Sequence, residues 1–197
     1  MGRRAPCLVA VVLAVVLVAA CSSARAGKPS SAAPNGAATV ERVVDGDTLV
    51  VRVSGRRERV RLIGMDTPES VKPNTPVQCF AVAASNRTKA LLPAGTPVRL
   101  VGDVEQRDRY KRLLAYVYRV RDNLFVNLTL VREGYAVPYT FPPNVAHTDE
   151  FVAAARDARD AGQGLWSACG PDQRPSHPDV ATVKADDSAH RAAGLPP

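Results

Sequence analysis

The sequence predicts an α+β fold, a five-stranded OB-type Greek-key β-barrel with about three helices, flanked by segments that have no core of their own. Three observations carry this. Of the 197 residues, 46% are hydrophobic, which supports one packed domain and excludes wholesale disorder or a collagen-like chain. Five β-rich runs are punctuated by Asp-Gly, Ser-Gly and Pro. A helical pattern separates the third run from the fourth, and further helices follow the fifth.

In chain order, residues 38–53 (ATVERVVDGDTLVVRV) form two alternating runs about Asp45-Gly46. Asp-Gly between such runs predicts a hairpin whose turn residues have positive φ. Ser54-Gly55 turns the chain into ERVRLIGM, which completes a three-strand meander. From Gln78 to Leu92, residues Phe80, Ala83, Ala84, Thr88 and Leu91 recur at helical spacing and Pro93 ends the run. PVRLVGDV and RLLAYVYRV are the fourth and fifth strands. VNLTLVREG predicts a short helix with Gly134 at its C-terminal end, and His147 to Gly162 a longer one with Thr148 as N-cap. This order predicts a five-stranded Greek-key barrel of the OB type.

The ends read differently. Arg3 and Arg4, the apolar run Cys7–Ala20 and the small residues after it make residues 1–20 an export signal. Val18-Ala19-Ala20-Cys21 resembles a bacterial lipobox, so Cys21 is expected to carry lipid and anchor the chain to the cell envelope. Cleavage after Ala26, giving a secreted chain, is the alternative. Residues 21–37 are a flexible tether and 171–197 a disordered C-terminal tail, both rich in Ser, Ala and Pro. The domain is therefore 38–170, and its 19 basic and 15 acidic residues leave +4, weak support for a polyanionic partner. With Cys7 removed and Cys21 acylated, Cys79 and Cys169 remain. Export predicts a disulfide between them, with two buried thiols as the alternative.

The chemistry concentrates in the meander. Asp47 opens the second strand and Asp66 ends the third, so the meander brings two carboxylates together which, with a nearby carbonyl, make a hard-oxygen site suited to Ca2+. Arg61 has opposite parity to Val60 and Leu62, and Arg112 begins the fifth strand. Two guanidiniums beside a carboxylate-bound cation form a clamp for a phosphodiester. Each residue taken singly is ordinary turn or surface chemistry; the combination with Glu69 is not. The three histidines lie apart, and no Walker loop, nucleophile elbow or dinucleotide fingerprint is present.

VVDGDTLVV, RVRLIGMDTPES and RDRYKRLLAYVY, in that order, resemble the staphylococcal nuclease family from about Val40 to Trp166. The resemblance implies an OB barrel and a Ca2+-dependent nuclease acting on DNA and RNA, single-stranded or frayed, and leaving 3′-phosphate ends. It implies metal ligands at Asp47, Asp66 and Thr67, and catalytic roles for Glu69, which positions water, and for Arg61 and Arg112, which hold phosphate. Substrate contacts are implied at Arg109 and Tyr110, and at Tyr139 and Phe141 beside a base pocket. Where the family often has Gly on both sides of the second arginine, Lys111 and Leu113 stand here. A monomer is expected. The rival expectation is a non-catalytic nucleic-acid-binding lipoprotein on the same barrel.

Overall fold

The computed structural model describes residues 36–71 and 76–175 of this domain. The export signal, Cys21, and most of the tether and tail lie outside the described residues. The barrel is built from β1 (Gly36–Asp45), β2 (Thr48–Val53), β3 (Arg56–Leu62), β5 (Pro97–Val101) and β6 (Leu113–Arg119). Their order is β3-β2-β1-β5-β6, and a parallel pairing of β3 with β6 (Val60 with Leu113, Leu62 with Ala115) closes the sheet on itself. The five-stranded OB-type barrel expected from the sequence is present. Closure removes the exposed edges that an open sheet would leave.

Alternation decides what goes inside. Leu49, Val51, Val60, Leu62, Val98 and Val117 are fully buried and line the barrel. Residues between them on β2 and β3, such as Arg52, Arg57 and Arg59, point outward and are exposed. Outside the barrel, α1 (Ala81–Leu91) packs on β1, while α2 (Val126–Arg132) and α3 (Thr148–Asp160) pack on each other. A short α4 (Leu165–Ala168) and a single 3-10 turn (Pro171–Gln173) follow, so ordered structure runs past residue 170.

Three short strands escaped the sequence pattern. β7 (Leu124–Phe125) extends the sheet, and β4 (Gly64–Asp66) pairs antiparallel with β8 (Val137–Tyr139) as a separate ribbon. At Gly64, where φ is +80°, a Cβ would lie 2.3 Å from the Phe151 ring. Glycine lets this ribbon press against α3.

Four local expectations are corrected. Gly36 and Ala37, assigned to the tether, begin β1, because they pair with Leu100 and Arg99 of β5. Asp45 pairs with Thr48, so the hairpin turn is Gly46-Asp47, and neither residue is among those with positive φ. Bulges on β1 between Val40 and Arg42 and between Val43 and Asp45 supply the twist that a primed turn would otherwise provide. α1 starts at Ala81, not Gln78, because Phe80 sits in the left-handed region at φ 68°. Thr148 is the first helical residue of α3 and not its cap; its hydroxyl turns back to the Val145 carbonyl at 2.9 Å.

Candidate active site

Asp47 lies in the β1–β2 turn, 5% exposed, its position fixed by two neighbours. Its carbonyl accepts from Leu62 N–H at 2.9 Å, and its Oδ1 accepts from the Thr48 hydroxyl at 2.9 Å. The preceding Gly46 has no room for a side chain, since a Cβ there would lie 2.6 Å from Thr67 Oγ1. The Thr88 hydroxyl of α1 also donates to the Gly46 carbonyl at 2.7 Å. Glycine here is a demand of close approach, which packs the 45–47 turn directly on the 66–70 segment.

Arg61 leaves β3 on the face opposite Val60 and Leu62, as its parity predicts. It is not solvated. Its guanidinium sits between two carboxylates, Nη1 on Asp47 Oδ2 and Nη2 on Asp66 Oδ1, with only 16% of the side chain exposed. Nη2 also reaches the Met65 carbonyl at 3.5 Å. Burial works against the Arg61 charge, but Asp47 and Asp66 outweigh it and hold the guanidinium protonated above its ordinary range. Burial also pushes the Asp47 carboxyl up; Arg61 pulls it back and Asp66 adds to the rise, so the net shift is upward.

Glu69 stands on the following loop. Its backbone N–H donates to Gln78 Oε1 at 2.7 Å, its carbonyl accepts from Gln78 N–H at 3.1 Å, and its carboxylate accepts from Val71 N–H at 2.8 Å. Partial burial, and then a hydrogen bond with Asp45, raise its carboxyl above the usual range, while the Val71 N–H lowers it. Asp45 in turn accepts from the Ser70 hydroxyl at 2.6 Å and from Ser70 N–H at 3.3 Å. One residue beyond Gln78, Cys79 is bridged to Cys169, 90 positions later. The disulfide thus ties the approach to α1 to the end of the domain.

On the other wall, Asp108 Oδ2 accepts from Arg112 Nε at 2.6 Å, and its Oδ1 takes the N–H groups of Tyr110 and Arg112 at 2.9 Å each. Lys111 makes this tight loop by adopting φ 64°, and Leu113 is buried in the core. The Lys111 position is the one where glycine would be unstrained; the Leu113 position needs its side chain. Arg109 Nη2 donates to the Tyr110 hydroxyl at 2.7 Å and its guanidinium lies 4.8 Å from that ring, which is 65% exposed.

These two walls meet at a cavity of about 460 Å3. Arg61, Arg109, Tyr110, Arg112, Tyr139 and Phe141 all line it. The rings of Tyr139 and Phe141 stand 6.3 Å apart at its edge. Asp47, Asp66, Thr67 and Glu69 are not on that lining; they form an adjoining acidic cluster joined to it by Arg61. Asp45, Ser70, Gln78 and Asp108 were not singled out from the sequence as site residues. Asp45 reads there as turn chemistry, and Asp108 lies in a run of basic residues where an i,i+4 partner for Arg112 was the available signal.

Among the described residues, no group of three or more His, Cys, Asp or Glu side chains is arranged to hold a metal ion. What the site offers is the Asp47 and Asp66 carboxylates with Thr67 beside them, its N–H 3.5 Å from Asp47 Oδ2. That donor set fits a hard cation: it is all oxygen, its two carboxylates exceed the single charge of Arg61, and the buried Thr67 Oγ1 has no hydrogen-bond partner.

A family model described as "Staphylococcal nuclease homologue" matches residues 59–168. The chain belongs to the staphylococcal nuclease family. The thermonuclease of Staphylococcus intermedius is 46% identical over 127 residues, 64% of this chain and 74% of that protein. The thermonuclease of Staphylococcus hyicus is 41% identical over 128 residues, 65% of this chain and 74% of that one. Endonuclease YncB of Bacillus subtilis (strain 168) is 39% identical over 133 residues, 67% and 62% of the two chains. As a staphylococcal nuclease family barrel, the domain has its acidic cluster and its arginine-lined cavity at one end of the β1–β2–β3 meander.

Proposed function

We propose that this chain is an exported, Ca2+-dependent nuclease that hydrolyses phosphodiester bonds of DNA and RNA and leaves 3′-phosphate ends. The observation that carries the reading is Arg61, seated between Asp47 and Asp66 and lining the cavity that Arg112 also lines, in a chain whose relatives are named thermonuclease and endonuclease. Asp47, Asp66 and the Thr67 carbonyl would hold the cation, which when bound supplies Lewis-acid polarisation of a phosphate oxygen.

The chain's own groups do the remainder. Arg61 and Arg112 present planar forks to the phosphate and stabilise the charge that grows in the transition state. Asp108 and Asp66 aim those forks in advance, so little reorganisation accompanies reaction. Glu69, its backbone clamped on both sides by Gln78, orients the attacking water; its raised carboxyl suits a group that takes up a proton. Tyr110, Tyr139 and Phe141 offer ring faces to the nucleoside, a contact that tolerates any base and favours single-stranded or frayed ends.

The proposal extends to location. The pattern Arg3, Arg4, Cys7–Ala20, Cys21 supports a lipid-anchored envelope protein, and the Cys79–Cys169 bridge is consistent with an oxidising compartment. Acylation tethers a monomeric domain near the membrane; Cys21→Ser should release it from the detergent phase. Among the described residues, no helix is long and apolar enough to cross a membrane.

The catalytic assignment is tested with Glu69→Gln and Asp47→Asn on a labelled oligonucleotide. Glu69→Gln should bind Ca2+ and oligonucleotide as the parent does and lose turnover, whereas Asp47→Asn should lose Ca2+ affinity. Near-native turnover in both variants would overturn the roles given to Glu69 and Asp47, and no turnover by the parent chain would favour the binding-module alternative.

A further inference from the structure

The strand register extends the surface around Arg61 well past the cavity. On β3, Arg57, Arg59 and Arg61 are two residues apart and share a face. Across the ladder, Arg59 stands opposite Val50 and Val50 opposite Arg42, while Arg57 stands opposite Arg52. Thr48 stands opposite Arg61 and completes the row that contains the site. Four exposed arginines, Arg42, Arg52, Arg57 and Arg59, therefore occupy one outward face of β1–β2–β3, continuous with Arg61. Same-face residues on a strand are about 6.6–6.8 Å apart, so this face runs roughly 13 Å from Arg61 to Arg57.

The charge on this face is compensated only in part. Glu41 engages Arg57, and Arg52 at 3.5 Å, and those two arginine side chains remain 59% exposed. Among the described residues, Arg42 and Arg59 have no acidic partner in an ion pair, and Val50 between them is only 3% exposed. Solvated surfaces normally intersperse both signs; here one acid stands among four bases.

We propose that this face is a second nucleic-acid contact surface, which holds the phosphate backbone of a strand on the side of Arg61 away from the cavity. The inference rests on the nuclease reading, because Arg61 links the two surfaces. Guanidiniums spaced along a strand suit a polymer with a charge at every residue and give a single nucleotide nothing to bind. Short substrates would use the cavity alone, and longer ones both surfaces.

The test is binding, measured in chelator so that cleavage does not intervene. Fluorescence anisotropy of a labelled 20-nucleotide single strand and of a labelled dinucleotide is followed against salt. The parent chain is compared with Arg42→Gln/Arg57→Gln/Arg59→Gln, with Arg59→Gln alone, and with Arg121→Gln as an exposed control elsewhere. Each lost phosphate contact should lower the log–log salt slope for the 20-mer by about 0.7, hence about 2 for the triple variant. Relative to 1 M salt, that is roughly a hundredfold loss of affinity at 0.1 M, with the dinucleotide unaffected. Arg59→Gln should show about a third of the slope change and Arg121→Gln none.

Unchanged 20-mer affinity and slope in the triple variant would overturn the proposal. So would an equal loss for the dinucleotide, which would place the effect in the cavity. Sedimentation with anionic phosphatidylserine vesicles is run alongside. Arginine-dependent vesicle binding without arginine-dependent 20-mer binding would assign the face to a membrane surface instead. Absence of cleavage by the parent would sink the nuclease reading and leave these binding results standing on their own.

Discussion

Arg61→Met separates the two roles that the Arg61 ion triad plays. Methionine keeps most of the stem volume and removes the charge that lies between Asp47 and Asp66. Both carboxylates are then left largely buried without their cation: the Asp47 and Asp66 side chains are 7% and 19% exposed. Removing one partner of a buried pair typically costs about 3–5 kcal/mol, and denaturant unfolding in chelator should show a loss of that order. Ca2+ should respond in the opposite sense. At an effective dielectric of about 20, a unit positive charge roughly 5 Å from a divalent one opposes it by about 7 kcal/mol. Solvent at the cavity mouth weakens this repulsion, so Ca2+ should bind Arg61→Met tighter by about tenfold to a hundredfold in a calorimetric titration. Turnover should fall by about a hundredfold or more, because the phosphate loses a preorganised donor. An unfolding curve in chelator identical to the parent's would show that the triad is not buried as described. Ca2+ affinity that is unchanged or weaker would show that the cation does not share these carboxylates.

Three further outcomes follow from other parts of the domain. Replacing Cys79 and Cys169 together by Ser should cost about 4–5 kcal/mol in the chain-entropy account of a loop this long, read from urea unfolding; equal stability with and without the bridge would contradict it. Lys111→Gly should stabilise the domain by up to about 1 kcal/mol, because φ 64° is strained for any residue with a Cβ, and a fall in Tm would show the strain is absorbed elsewhere. The Tyr116 phenol is pushed above its ordinary range by burial, then by Asp103, whose carboxylate accepts its proton at 3.1 Å. The folded chain therefore holds this proton more tightly than the unfolded one, and the stability it contributes is present below about pH 10 and lost as pH rises beyond it. Tyr116→Phe should flatten that alkaline fall by about 1.4 kcal/mol per pH unit; the same slope in both chains would refute the assignment.

How much of this was legible in the sequence depends on the scale of the interaction. The barrel strands were readable because inward residues such as Leu49, Val51, Val60 and Leu62 alternate strictly, and one slip of register would invert every side chain. The Asp47–Asp66–Arg61 association was readable because a meander returns its third strand beside its first turn. The Asp45-Gly46 turn misled, since glycine there answers to Thr67 across space and not to its own dihedral angles. β4 and β8 have three residues each, too few for periodicity, and they exist because Gly64 and Tyr139 are brought together by tertiary packing. The apolar spacing alone predicts a helix from Gln78; its bonds to Glu69, nine positions earlier, are a pairing that no local pattern encodes.

The proposed cleavage of nucleic acid requires a divalent cation at the acidic cluster. Its most direct test is cleavage of an end-labelled single-stranded oligonucleotide by the purified chain, first in excess chelator and then with Ca2+ restored. Cleavage should be absent in chelator, return with Ca2+, and yield fragments that a 3′-phosphatase converts to a slower-migrating form. Undiminished cleavage in chelator would rule out a role for the cation.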